Sequence, residues 1–194
     1  MAKMDEGEIR KAIRRAELEH TLKGECLSTI SERVTRYLEL NFIEIIPNEQ
    51  PFAPISAECI LLYRDGHFFA CIALCQAVAE AIVRLLCTKS GFKADKVFEK
   101  NIDTLRRRKI KPDCSELLGD IWKGRDDYHH LKPKVPTERE KLQAIAKSKM
   151  ITLHGVESEV FAFEWVNGAI KPKYPKYWPE SQNGLLNVFL RFEP

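Results

Sequence analysis

The stretch HFFACIALCQAVAEAIVRLLC, residues 67–87, decides the fold. Phe68 to Cys75 is an unbroken apolar run that taken alone would suit a membrane span. Gln76, Glu80 and Arg84 follow at i, i+4 and i+8, which on a helix draws one narrow polar stripe down an otherwise apolar cylinder. Two charges within about 20 residues disfavour a span, so the pattern predicts the central core helix of a helical bundle. The stripe reads as solvent-facing or interhelical, with Glu80 and Arg84 paired one turn apart. Ser90-Gly91 closes the helix, Gly91 supplying the left-handed residue past its end.

On the N-terminal side, Ala57 to Tyr63 reads as a short helix joined to the core helix by a tight turn, Arg64-Asp65-Gly66. Pro47, Pro51 and Pro54 mark a loop before it. Glu8 to Leu40 carries helical spacing in two stretches, Ile9, Ile13 and Ala16, then Leu27, Ile30, Val34 and Leu38, with a break expected at Gly24. On the C-terminal side, Ala94 to Arg108 reads as a helix ending in a basic run, Arg106 to Lys111, which Pro112 prevents from simply continuing. Asp113-Cys114-Ser115-Glu116 resembles a cap that opens a helix through Leu117, Leu118, Ile121 and Trp122 and on into Arg125-Asp126-Asp127-Tyr128-His129-His130.

Pro133 and Pro136 enforce a loop, after which Thr137-Glu138-Arg139-Glu140 reads as a capping box. The helix it opens keeps a 3.6-residue apolar period as far as Phe163, with Asn167-Gly168 as its end. Asn-Gly is also a strong hairpin signal, which would pair Val160 to Val166 with Ala169 to Lys173; the helix is the preferred reading. Pro172, Pro175 and Pro179 exclude a helix from the tail, and Leu186 to Phe192 alternates as a strand does. The expected architecture is mainly α: a helical bundle over residues 1–168 and a β-flap appendage over 169–194, made by pairing Ala169–Lys171 with Leu186–Phe192.

The 194 residues suit one domain with an appendage. Thirty-one Lys and Arg against 28 Asp and Glu leave +3, which excludes a histone-like polycation and a strongly acidic chain, and permits nucleic acid as a partner. Apolar residues at 44% and charged ones at 30% fit neither disorder nor a membrane-dominated protein. The six cysteines form no C-x-x-C pair, and the charged start lacks an apolar leader pattern, so a reducing cytoplasm with mostly core thiols is expected.

No P-loop, G-x-G-x-x-G, H-E-x-x-H or G-x-S-x-G occurs. Candidate chemistry concentrates in residues 106–134. Arg125 with His129 and His130 offers a fixed cation and groups that titrate near neutral pH. Metal-free RNA cleavage needs that set: a base for the 2′-hydroxyl, an acid for the leaving 5′-oxygen, and positive charge for the crowded phosphorane. The same cluster also suits a solvated helix C-terminus, where cations meet the dipole. The run Arg106-Arg107-Arg108 is by default a solvated helix end as well, although five cations in six residues can hold phosphates, as can Lys132 and Lys134. A metal site at His129-His130 is not expected, because adjacent side chains diverge. Trp165, Tyr174, Tyr177 and Trp178 either stack on bases or, as preferred here, pack the tail onto the bundle.

The stretch Leu62-Tyr63-Arg64-Asp65-Gly66-His67-Phe68-Phe69-Ala70-Cys71-Ile72-Ala73-Leu74, followed by Glu80 and later by Arg125-x-x-x-x-His130, resembles the HEPN superfamily over roughly residues 55–165. Members are helical bundles, commonly dimeric, and many are metal-independent ribonucleases of toxin, antiphage or RNA-processing systems. The resemblance implies a homodimer in which Arg125 and His130 meet their symmetry mates in one composite cleft, with Asp126 orienting Arg125 or the imidazole. It further implies RNA as substrate, contacts from Tyr128, His129, Lys132 and Arg106 to Arg108, no cofactor, and a protein partner such as an antitoxin. The runner-up is a non-catalytic helical dimer module that binds a protein or nucleotide. On an ideal helix positions 125 and 129 lie about 40° apart and 125 and 130 about 140° apart. The family spacing therefore requires the helix to bend or end near Tyr128, and His130 is preferred with His129 in reserve.

Overall fold

A computed structural model describes residues 5–40, 44–47, 50–178 and 188–191. Two compact units divide the chain, Met1–Glu39 and Leu40–Pro194. The first unit is one helix, α1 (Glu6–Leu38), opened by Asp5 and carrying Glu6 and Glu8 at its positive end. The expected break at Gly24 does not occur. A single glycine costs only about 1 kcal/mol in a helix interior, too little to break a 33-residue helix.

The second unit is mainly α, a bundle built around α3 (Phe68–Lys89), against which α2 (Ala53–Arg64), α4 (Phe98–Arg107), α5 (Ser115–Trp122), α6 (Arg125–His129) and α7 (Arg139–Val160) all pack. α3 is long and apolar enough to cross a membrane, and half of its most apolar window is buried inside the bundle. The buried positions, from Phe68 and Cys71 to Leu86 and Cys87, occupy most of its circumference, as a core helix requires. Gln76 of the polar stripe is also buried, while Glu80 and Arg84 form an ion pair at 2.6 Å at the outer end. Five cysteines are buried and Cys26 is exposed; burial pushes the Cys114 thiol up to about 12.

Four helix ends share one device. After α2 the His67 amide donates to the Leu62 carbonyl and Gly66 to Tyr63, with Gly66 left-handed at φ 80°. After α3 the donors are Phe92 and Gly91, to Cys87 and Thr88. α4 and α6 end the same way, but with Lys109 (φ 52°) and Leu131 (φ 48°) in the left-handed position, a strained place for a side chain. Pro54 stands in the first turn of α2 and not in a loop, because a first-turn amide has no partner to lose. α4 starts four residues later than expected: Asn101 turns back, accepting from the Asp95 amide (2.7 Å) and donating to its carbonyl (3.0 Å), which holds residues 94–97 as a loop.

The helix preferred through Phe163 ends at Val160, and the hairpin reading is the correct one. β2 (Phe163–Val166) pairs antiparallel with β3 (Ala169–Pro172) across Asn167-Gly168, whose φ values of 52° and 78° suit the primed turn that hairpins need. Phe161 leaves the helix to stack on Phe52 (6.1 Å) and meet Trp178 edge-on (6.2 Å), which turns the chain out of the helical path. The expected flap of Ala169–Lys171 with Leu186–Phe192 is also replaced: β4 (Val188–Arg191) pairs instead with β1 (Glu44–Pro47), Glu44 opposite Arg191. Leu186 and Phe192 lie outside the described residues. Tyr177 and Trp178 are buried, as tail packing requires, and Trp165 is exposed.

Glu157 of α7 is wholly buried, and Ser56 Oγ of α2 donates to its Oε1 at 2.5 Å. Burial pushes this carboxyl up from 4.5 to about 7, with the Ser56 bond and the His154 charge pulling the other way. The fold therefore prefers the protonated acid. That preference contributes stability fully below the ordinary carboxyl pKa and loses it as pH rises through about 7. Glu157→Gln should gain stability relative to wild type as pH rises from 5 to 8, by up to about 3 kcal/mol, measured by urea unfolding. A difference that does not change with pH contradicts this.

Candidate functional site

The site begins with the end of α5. Three carbonyls there, of Asp120, Ile121 and Lys123, accept from the ammonium of Lys149 on α7 at 2.5, 2.8 and 3.0 Å. Gln76 Nε2 of α3 adds a bond to the Ile121 carbonyl at 3.3 Å. An ammonium has three donors, so Lys149 is fully used. Its pKa is lowered, chiefly by burial, with the Asp120 carboxylate opposing. The expected continuous helix from Leu117 into His130 is thus interrupted: α5 is closed from outside its own backbone, Gly124 takes φ 77°, and α6 restarts at Arg125. α6 then ends at His129, where the spacing of the motif requires a helix end, and His130 lies in the non-helical cap.

Arg125 sits over the Trp122 ring at 5.1 Å and pairs with Asp126 Oδ1 at 3.2 Å. Trp122 is itself held: it stacks on Phe98 with centroids 4.0 Å apart and donates from Nε1 to Glu99 at 3.0 Å. The guanidinium is about one-third exposed and the Asp126 carboxylate two-thirds exposed, so neither is locked in a buried bridge. Tyr128 is buried against Phe69, ring centroids 5.8 Å apart, which makes it an anchor of α6 on α3. Lys132 and Lys134 both reach Asp127, at 3.5 and 2.9 Å, and the Lys134 hydrogen bond holds the Asp127 carboxyl below its usual range. These lysines tie the following loop to α6.

His129 and His130 are both exposed. His129 stands one turn from Arg125 on the same face of α6. Although exposed, its ring loses enough water to lower its pKa, and the charges of Arg125 and then His130 push the same way, while Asp126 and Glu80 oppose. The neutral imidazole, with a free nitrogen to accept a proton, therefore persists to lower pH than for an ordinary histidine. Among the described residues no three His, Cys, Asp or Glu side chains gather as a cation site would need.

The basic run and the Arg125 segment share a surface. A cleft of about 750 Å³ is lined by Lys93, Asp95, Lys100, Asp103, Arg106 and Arg107, with Phe92 among its apolar walls. Asp103 and Arg106 also line a second cleft of about 350 Å³ that runs to Trp122 and Lys123. Trp122 and Lys123 in turn line a third, of about 220 Å³, with Arg125, Asp126 and Asp127. Through these shared residues the three clefts adjoin along α4 and the α5–α6 junction, and together they make up the groove. Arg108 flanks its start, over the Phe92 ring at 4.7 Å. The arginines are legible in the sequence, whereas Lys149 and the Phe98–Trp122–Arg125 stack leave no local trace beyond Trp122 lying three residues before Arg125. No protein-family model, curated protein or solved structure matches this chain.

Two outcomes follow from this geometry. Lys149→Met should lower stability by about 3 kcal/mol in urea unfolding, since three carbonyls lose their donor. In Arg125→Ala the NMR titration of the His129 ring should move upward towards the ordinary histidine value; an unmoved titration means the two side chains do not interact.

Proposed function

We propose that this protein is a HEPN-like RNA-binding protein that cleaves RNA without a metal, acting as a homodimer in a reducing, cytoplasmic setting. The observation that carries the reading is the groove that joins Arg106 and Arg107 to Arg125, with two exposed histidines at the end of the same short helix. Its cationic side chains, Lys93, Lys100, Arg106, Arg107, Lys123 and Arg125, suit successive phosphates, and the stacked rings of Phe98 and Trp122 support the Arg125 guanidinium.

In this mechanism an imidazole takes the 2′-hydroxyl proton, the oxygen attacks the adjacent phosphorus, Arg125 stabilises the phosphorane, and a second imidazole or water protonates the leaving 5′-oxygen. Asp126 holds Arg125 in place. His130 is the residue at the family spacing. His129, one turn from Arg125 and biased towards the neutral form, is the base available within a single chain. A role in defence or stress response, with a protein antitoxin, follows from the resemblance alone.

The test is cleavage of a mixed RNA pool in chelator by wild type, Arg125→Ala, His129→Ala and His130→Ala, with folding verified by circular dichroism. Loss of Arg125 and of the acting histidine should each slow cleavage by about 10² or more. Arg106→Ala with Arg107→Ala should weaken RNA binding uniformly across sequences and flatten its salt dependence by about one charge per lost contact. A wild type that binds but cleaves no RNA refutes the enzyme; unchanged binding after loss of both groove arginines refutes the groove.

A further inference from the structure

α1 carries an apolar face that its own unit does not cover, since α1 is the single element described within Met1–Glu39. The two stretches of apolar residues lie on one side of one helix: Ile9, Ile13 and Ala16 continue into Leu27, Ile30 and Val34 after a polar gap at His20 and Lys23. The large side chains among them are exposed, from Ile9 at 43% to Leu27 at 71%. Positions 9, 13, 16, 20, 23, 27, 30 and 34 alternate steps of four and three, the seam of a two-stranded coiled coil. From Ile9 to Val34 the seam spans nearly four heptads, within the three to four that such a pairing needs.

We propose that a second copy of α1 covers this face, as an antiparallel pair. In the register whose two-fold axis passes between Thr21 and Leu22, Ile9 meets the partner's Val34, Ile13 the partner's Ile30, and Ala16 the partner's Leu27. The polar gap then meets itself, His20 opposite the partner's Lys23. A parallel pair stacks Lys23 on its own copy instead, a like-charge contact at the seam. At the flanks the antiparallel register sets Glu17 opposite Gly24, Glu19 opposite Cys26 and Arg10 opposite Ser31, with no like charges facing. A helix about 50 Å long with a contact strip about 10 Å wide covers about 500 Å² per chain. The pair therefore reaches the roughly 1,000 Å² that a specific interface requires. The α1 pair uses no groove residue and forms whether or not the groove binds RNA.

The test is disulfide trapping in the full-length protein with Cys26→Ser as background. Ile13→Cys and Ile30→Cys chains, mixed, allowed to exchange and then oxidised, should give a cross-linked heterodimer as the main product, and Ile13→Cys alone should give little. Adding Leu27→Lys to both chains should abolish the product at least tenfold, whereas Leu18→Lys, on the opposite side of the helix, should leave it unchanged. Cross-linking of Ile13→Cys with itself overturns the antiparallel arrangement. Absence of any product above a Leu22→Cys control, as expected if another part of the same chain covers the face, overturns the pairing.

Discussion

The Lys149 ammonium on the carbonyls of Asp120, Ile121 and Lys123 is the contact on which the rest of the candidate site depends. A helix leaves its last carbonyls without partners, and a run of good helix formers would normally satisfy them by continuing. Here a buried cation from α7 takes three of them at once, and Gln76 of the central helix shares one. The chain is then released to turn through Gly124 and begin again. Arg125 thereby starts a helix anchored by Tyr128, instead of extending the one that ends at Trp122. The stack of Phe98, Trp122 and Arg125 follows from that change of direction, because it lays the guanidinium back over the ring of the helix just completed.

The groove is mixed in sign. Asp95, Glu99 and Asp103 lie among the cations, and Asp126 and Asp127 already pair with Arg125 and with two lysines. Cations recur from cleft to cleft: Arg106 and Arg107 in the first, Arg106 and Lys123 in the second, and Lys123 and Arg125 in the third. The net charge of +3 reveals none of this arrangement. Leu131 adds a second feature of the same region. It holds a left-handed conformation, which costs a branched side chain roughly 1–2 kcal/mol, directly after His130, and the bonds of Leu131 to Tyr128 and of Lys132 to Asp127 keep it there. Strain of this kind at the end of the motif places the histidines at an abrupt stop and not on a fraying helix.

Much of the bundle was legible because local chemistry agreed with it. The polar stripe of residues 76, 80 and 84 identified α3, Gly66 and Gly91 marked its boundaries, and Pro112 and Pro133 interrupted the chain where helices do end. Elsewhere local signals and the structure part. Gly24 lies inside an unbroken helix, since one glycine costs only about 1 kcal/mol there. α7 opens at Glu138, where Lys141 pairs with the glutamate at 2.8 Å, and the box expected at Thr137 does not form. The period through Phe163 was helical by pattern, yet Phe161 found a better place against Phe52 and Trp178, residues distant in the chain.

By itself the sequence determined the helical class, the identity of the core helix and the position of its ends, since side-chain periodicity and left-handed glycines act within a few residues. It also determined that cations gather before the Arg125 segment. Only the tertiary structure decided that this segment begins a new helix, that β1 and not β3 is the partner of β4, and that the basic run and Arg125 share a groove. Each of these depends on a donor, a strand or a ring supplied from dozens of residues away, and no local preference encodes which distant group will arrive.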